Sequence, residues 1–364
     1  MSGLGWVRGE LSKLEGFLKI KPLYFDVDTG EFVWLDTRLI PFEEVYRRTR
    51  DYRRVAEAIK TMEIRGAPAI GVSAAFAMAL AALNSKSGSI EGLMEELLEA
   101  KNVLASTRPT AYNLFWALER VMARAREESR RGYDRVVNGV LDEALRMYLE
   151  DIKTNVEIGR AGSRLVEDNM RILTHCNTGA LATAGFGTAL GVVRYAWYEG
   201  KKVTVITTET RPVLQGARLN VWELRKEGIP FKLIVDNAAA LVLARGMADM
   251  VLVGADRIIF TGHTANKIGT LQIAIASKHY NKPFYVVAPT STIQPTWNPQ
   301  EIVIEERSSE EVTRVMGRME ITLQDIEVYN PSFDITPPQL ITAIVTEKGI
   351  VEKPFEENIP KTLK

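Results

Sequence analysis

The second half of the chain alternates between short apolar runs and helix-length stretches, and this restricts the fold more than any other feature. The runs are Ile172–His175, Val203–Thr207, Phe231–Val235, Met250–Val253 and Phe284–Val287, and they carry almost no ionisable residues. Between them lie Leu181–Tyr198, Gly216–Glu227, Ala238–Met247 and Lys267–Tyr280, which read as helices. Apolar strands separated by helices predict an α/β fold, a parallel sheet with helices on both faces. In such a sheet ligands bind beyond the C-terminal ends of the strands. The residues at those ends are His175-Cys176-Asn177, Glu209-Thr210-Arg211-Pro212, Asp236-Asn237, Gly254-Ala255-Asp256-Arg257 and Ala288-Pro289-Thr290.

The first half reads differently. Leu18–Lys21 and Phe32–Leu35 suit short antiparallel strands around the turn Asp26-Val27-Asp28-Thr29-Gly30. From Phe42 to about Ala125 the pattern is helical, with one helix opening at Phe42-Glu43-Glu44-Val45 and another over Tyr52–Met62. Pro68–Leu83 is Ala-rich and so apolar that a helix there must be buried on nearly every side. Helices are also expected over Ile90–Leu104, Leu114–Glu128 and, long and charged, Val136–Asp168. Gly132-Tyr133 is the expected boundary, giving a smaller strand-plus-helical domain over 1–133 and the sheet domain over 134–364, which begins with the long connecting helix. The tail Asn330–Pro338 reads as rigid and non-helical, with fraying at the C-terminus.

Composition excludes several classes of function. Lys plus Arg and Asp plus Glu each number 46, so nothing suggests a nucleic-acid surface or a polybasic membrane patch. One cysteine rules out an internal disulfide framework and fits a reducing cytosol. The segment Met1–Arg8 lacks the pattern of a signal peptide, and Pro68–Leu83 is short of the ~20 residues a bilayer span needs. A cytoplasmic protein is expected.

The stretch Ile172–Thr183 combines a buried strand, a turn at Cys176-Asn177-Thr178-Gly179 and an Ala/Gly/Leu segment expected to be a helix entered from its N-terminus. That arrangement would favour a phosphate or an activated thiol beside Cys176. Asp256 follows the buried run Val251-Leu252-Val253-Gly254-Ala255, where partial desolvation would suit it to proton transfer. Asn266-Lys267 is expected to open the following helix. Arg65 and Arg108 precede proline-containing turns that open helices, positions suited to a phosphate cradle. Gln215 lies just after Arg211-Pro212 on the same edge. The Gly-rich Gly185–Gly191 is expected inside a helix rather than in a dinucleotide-binding turn. His175, His263 and His279 show no ligand spacing, so no metal and no cofactor is expected.

These segments together resemble the methylthioribose-1-phosphate isomerase family, aldose–ketose isomerases of methionine salvage. The resemblance runs through Arg65–Gly71, Arg108–Leu114, Thr174–Thr183, Glu209–Leu224, Asp236-Asn237, Gly254–Ile258, Ala265–Gly269 and Asn330–Pro338. It implies isomerisation of 5-methylthioribose 1-phosphate to 5-methylthioribulose 1-phosphate, with Cys176 and Asp256 as catalytic residues. It implies substrate contacts from Arg65, Gly66, Ala67, Arg108, Gln215, Asn266 and Lys267, a Rossmann-like C-terminal domain and a homodimer. Thr178, Ala238 and Gly262-His263-Thr264 depart from the family pattern at positions without an assigned role. Ribose-1,5-bisphosphate isomerases are similar and would carry the same Cys and Asp. The regulatory subunits of eukaryotic translation initiation factor 2B share the fold as binding modules.

Overall fold

The computed structural model describes residues 5–109 and 111–363. They form two compact units. One holds the described residues up to Thr154 together with Ala180–Phe186, and the other holds Asn155–Gly179 and Gly187 onward.

In the first unit β1 (Leu23–Asp26), β2 (Glu31–Leu35) and β3 (Tyr46–Thr49) make an antiparallel sheet in that order. The hairpin turn forms where the sequence places it, with the Asp26 carboxylate accepting the N–H groups of Asp28 (3.0 Å) and Thr29 (3.2 Å). That turn pairs Asp26 with Glu31. It therefore fixes the first strand at Leu23–Asp26 rather than at the expected Leu18–Lys21. Phe42–Val45 opens no helix either. It leads into β3, whose exposed Arg47 and Arg48 give no apolar alternation and whose partner strand is a tertiary matter.

The helices of this unit are α1 (Gly5–Leu14), α2 (Tyr52–Lys60), α3 (Ala67–Leu83), α4 (Ile90–Ala105), α5 (Tyr112–Ser129) and the start of α6 (Tyr133–Gly162). Asp51 and Ser89 cap α2 and α4 by accepting the N–H groups of Arg53 and Gly92. Helix α3 is buried without interruption from Ala69 to Ala82, as its composition requires, and packs on α2, α4 and α5. Helix α6 starts at Tyr133, and its residues up to Thr154 belong to the first unit. Its last residues, from Asn155, belong to the second unit, and it ends at Gly162 rather than at Asp168.

The second unit contains β4 (Arg171–Thr174), β5 (Thr204–Thr208), β6 (Phe231–Ile234), β7 (Met250–Val253), β8 (Arg257–Ile259), β9 (Thr264–Lys267), β10 (Phe284–Val287) and β11 (Ile293–Gln294). The strands β12 (Arg314–Val315), β13 (Met319–Glu320), β14 (Phe333–Thr336), β15 (Ala343–Thr346) and β16 (Gly349–Glu352) follow. A seven-stranded sheet runs β16-β15-β10-β7-β4-β5-β6, parallel except for β16. Its strands alternate between two apolar layers. Leu173, Ile206, Val251 and Val286 join one, and Ile172, Val205, Leu252 and Val287 the other. This period of two is what helix layers on both faces demand. A smaller sheet, β11-β8-β9-β14, adjoins the segment that follows β7. The chain moves from β4 outward through β5 to β6, then returns to β7 on β4's other side. The strand order therefore reverses between β4 and β7.

The helices here are α7 (Ala189–Tyr198), α8 (Val221–Glu227), α9 (Ala239–Ala244), α10 (Thr270–His279), α11 (Glu310–Thr313) and α12 (Phe355–Thr362). Two expectations fail around α7 and α10. Leu181–Tyr198 is not one helix, since Ala180–Ala182 makes a single 3₁₀ turn, Thr183–Thr188 is irregular and α7 begins only at Ala189. The N–H groups of Thr188 and Leu190 instead bond back to the Thr178 carbonyl (3.0 and 3.1 Å). Gly187, at φ +92°, lies so close to the Gly179 backbone that a Cβ would meet it at 2.5 Å. Lys267 ends β9 rather than opening α10, because β9 pairs with β14 up to that residue and with β8 up to Ala265. The C-terminus does not simply fray, since α12 buries Phe355 and Ile359. Among the described residues no helix is long and apolar enough to cross a membrane.

Candidate functional site

Cys176 stands just past β4 and Asp256 just past β7, the two neighbouring strands that flank the reversal of strand order. That crevice is where a doubly wound sheet leaves room for a ligand. Gln215 lies beyond the end of β5, β4's other neighbour, and is buried. Asp256 donates its backbone N–H to the Ala265 carbonyl (3.0 Å), so Asn266 and Lys267 on β9 lie beside it. Both are buried. The amide of Asn266 donates to the Thr270 hydroxyl (3.0 Å), and the Lys267 ammonium donates to the Ser332 carbonyl (2.8 Å) with its charge 4.5 Å from the Phe333 ring centre. Cys176, Gln215 and Asp256 thus follow strands of the seven-stranded sheet, and Asn266 and Lys267 lie on the smaller sheet beside Asp256.

Cys176 adopts φ +64°, the left-handed region that a side chain normally avoids. It is not at a helix N-terminus, contrary to expectation, so the turn is held by side chains instead. Its N–H donates to the Thr210 hydroxyl (2.9 Å), and its carbonyl accepts from the Asn220 amide (2.6 Å). Asn220 ends Gly216–Asn220, a stretch of π-helix running into α8. Such widened turns recur at functional sites because they re-aim side chains. The stretch also needs Gly216, where a Cβ would stand 1.8 Å from the Thr208 carbonyl oxygen.

Behind the turn is a buried charge cluster that sequence reading does not reveal. Asn177 donates to Asn220 (3.1 Å) and to Glu223 (3.0 Å). Glu223 also pairs with Arg194, which pairs in turn with Glu227 (3.2 Å), and all three side chains are at most 3% exposed. Tyr198 completes the group by donating to Glu227 (2.8 Å). Thr210 and Arg211 are fixed from the other side, their N–H groups both donating to the Asp236 carboxylate (2.6 Å each). Asp334 accepts the N–H groups of Gly269 (2.7 Å) and Leu271 (3.0 Å) at the start of α10. Burial pushes its carboxyl up to about 6, against the pull of those donors and of Lys267. Hydroxyl-rich Thr207-Thr208-Glu209-Thr210 at the end of a buried strand was the one sequence signal for this supporting frame.

The other predicted residues belong to the first unit. Arg65-Gly66-Ala67 forms the entry to α3, with Gly66 as its N-cap at φ +93° and Pro68 in the first turn. A Cβ on Gly66 would lie 2.3 Å from the Ala182 carbonyl oxygen. Arg108 sits in the turn before α5, where its carbonyl accepts the Ala111 N–H (3.1 Å). That helix begins at Tyr112, so Pro109 does not occupy its first position, and Thr110 lies outside the described residues. Gly66→Ala is expected to cost on the order of 2–4 kcal/mol, from left-handed strain plus the clash with Ala182. Gly30→Ala, at φ +69° with open space around it, should cost about 1 kcal/mol. Urea unfolding of the two variants checks this; equal losses would contradict the close approach. Among the described residues no three His, Cys, Asp or Glu side chains are grouped to hold a metal ion.

A sequence profile described as the Initiation factor 2 subunit family matches residues 63–353. A relative from Aeropyrum pernix, provisionally named a methylthioribose-1-phosphate isomerase, is 64% identical over 98% of this chain and 98% of its own length. The methylthioribose-1-phosphate isomerase of Thermotoga neapolitana is 52% identical over 95% of this chain and 99% of its own. Among solved structures, the 5-methylthioribose 1-phosphate isomerase of Pyrococcus horikoshii is 40% identical, with TM-score 0.88 over 96% of this chain and 97% of that one. A structure titled translation initiation factor eIF-2B, subunit delta, from A. fulgidus is also 40% identical, with TM-score 0.84 over 95% of this chain and 99% of that one.

Proposed function

The chain belongs to the Initiation factor 2 subunit family, and from that membership we infer that it isomerises 5-methylthioribose 1-phosphate to 5-methylthioribulose 1-phosphate, the aldose–ketose step of methionine salvage. The observation that carries the reading into chemistry is the pair of Cys176 and Asp256 on the strands that flank the reversal of the sheet. A regulatory binding subunit, as the A. fulgidus protein is named, has no need of a left-handed cysteine and an aspartate at the ends of neighbouring strands.

The substrate's anomeric oxygen carries the phosphate, so its ring does not open as a free sugar's does. The net change moves the C2 hydrogen to C1 and the C2 hydroxyl proton to the ring oxygen, with no external oxidant. Asp256 is assigned the proton to the ring oxygen, which lets the C1–O bond break, and it regains a proton as the C2 carbonyl forms. Cys176 is assigned to the hydrogen transfer between C2 and C1. The guanidinium groups of Arg65 and Arg108 and the N–H groups of Gly66 and Ala67 are assigned to the phosphate. Gln215, Asn266 and Lys267 are assigned to the sugar, the Lys267 charge supporting oxygen that becomes negative. A homodimer accords with the outer strand β6 and neighbouring α9, where Leu233, Val235 and Leu241 are each about half exposed. A cytoplasmic site accords with the single cysteine.

The test offers the purified protein 5-methylthioribose 1-phosphate and, separately, ribose 1,5-bisphosphate. Preferred turnover of the first is expected. Turnover of the second alone would reassign the same residues to a different sugar, and turnover of neither would favour the binding-subunit reading.

A further inference from the structure

We propose that His175 is a positioning residue for Cys176, acting through the hydroxyls of Thr208 and Thr210. The proposal rests on the reading that Cys176 takes part in the isomerisation. Four contacts in the second unit define it. His175 Nε2 lies 2.8 Å from the Ile268 carbonyl oxygen, and its Nδ1 lies 2.7 Å from the Thr208 hydroxyl. The Thr208 and Thr210 hydroxyls are 3.1 Å apart, and the Cys176 N–H donates to Thr210 at 2.9 Å.

The chemistry of the end groups sets the direction of the chain. A carbonyl only accepts, so Nε2 of His175 carries the hydrogen. The ring is fully buried, and burial holds its pKa below the ordinary histidine value, which keeps it neutral. Nδ1 is then an acceptor and takes the Thr208 hydroxyl proton. Thr208 Oγ1 in turn accepts from Thr210, which at 3.1 Å lies nearer than the Thr208 carbonyl oxygen at 3.4 Å, and Thr210 Oγ1 accepts from Cys176. Every hydroxyl donates once in the direction of His175. The opposite sense would require a donor proton at Nδ1 and a carbonyl that donates.

The ring is itself firmly seated. Gly269, at φ +103°, passes so close that a Cβ would lie 3.0 Å from His175 Cε1, and Asp334 clamps the N–H groups of Gly269 and Leu271. The anchor at Ile268 thus ties the turn after β4 to the turn between β9 and α10. The consequence is a left-handed Cys176 whose preceding peptide cannot rotate without breaking the hydroxyl chain. The thiol direction follows from that peptide, because the Cα–Cβ bond turns with it.

The test uses the full chain with Thr210→Val, Thr208→Val and the rescue variant Thr210→Ser, beside a core control, Ile344→Val. In each, kcat and KM are measured with 5-methylthioribose 1-phosphate, and the protein's one cysteine is alkylated with iodoacetamide under native conditions. Both valine variants are expected to lose about 10- to 100-fold in kcat with KM within roughly twofold, the scale of a misplaced reacting group. Their thiol should alkylate several-fold faster as the turn loosens. Thr210→Ser should restore both values, and the core control should change neither. Valine variants with wild-type kcat and alkylation rate would overturn the proposal. An effect in Thr210→Val without one in Thr208→Val would remove His175 from it. If the wild type turns over no substrate, the alkylation rates alone decide whether the chain positions Cys176, so the two failures are told apart. A Thr210→Val chain that does not fold leaves Thr208→Val, which keeps the Thr210 hydroxyl that Cys176 donates to, to decide.

Discussion

Asp256→Asn is expected to lower kcat by about 10²–10⁴-fold with KM within roughly threefold, the signature of a lost proton donor rather than a lost contact. The asparagine keeps the shape of the side chain and leaves the backbone bond from residue 256 to Ala265 in place, so the strand-end geometry survives. What it removes is a group able to give a proton to the ring oxygen and take one back. Steady-state kinetics on the variant measures this. Turnover near the wild-type rate would strip Asp256 of the role, whatever its position beside the β4–β7 crevice.

The second large effect concerns stability rather than turnover. Glu223→Ala should cost about 3–5 kcal/mol, the loss typical of breaking a buried ion pair by deleting one partner. Arg194 would keep Glu227 but lose its partner on the other side, with almost no access to water to replace it. Asn177 would lose one of its two acceptors, and Gly179 would face the space that Glu223 fills. Glu223→Gln keeps the volume and a hydrogen-bond acceptor, so its loss should be about 1–3 kcal/mol. Guanidinium unfolding midpoints of both variants check the order. A Glu223→Ala chain as stable as wild type would mean that the cluster contributes only packing.

The legible part of this molecule was the part governed by period. Five apolar runs became β4, β5, β6, β7 and β10, and the sheet edge read from them carries Cys176, Gln215 and Asp256. Local chemistry also predicted the turn at Asp26–Gly30 and the burial of α3. What the sequence concealed depends on partners far along the chain. β3 has no apolar alternation and exists through its ladder to β2. Lys267 reads as a helix start until β8 and β14 are known to flank its strand. Gly185–Gly191 was expected inside a helix, yet the N–H groups of Thr188 and Leu190 bond back to Thr178. The supporting frame of the site was hidden for the same reason. Thr210, Asn220 and Glu223 lie 34 to 47 residues beyond Cys176 in the chain and act only once β5 and α8 are in place. His175 was visible as a strand-end histidine without ligand spacing, but not as one end of a chain of hydroxyls.

The measurement that bears most directly on the whole account follows the sugar itself. 5-Methylthioribose 1-phosphate labelled with carbon-13 at C2 is incubated with the purified protein, and the C2 signal is followed by NMR. The account predicts that a ketone carbonyl signal grows with the wild-type chain and does not grow with Cys176→Ser. No carbonyl with the wild type, or growth at the same rate with Cys176→Ser, would contradict it.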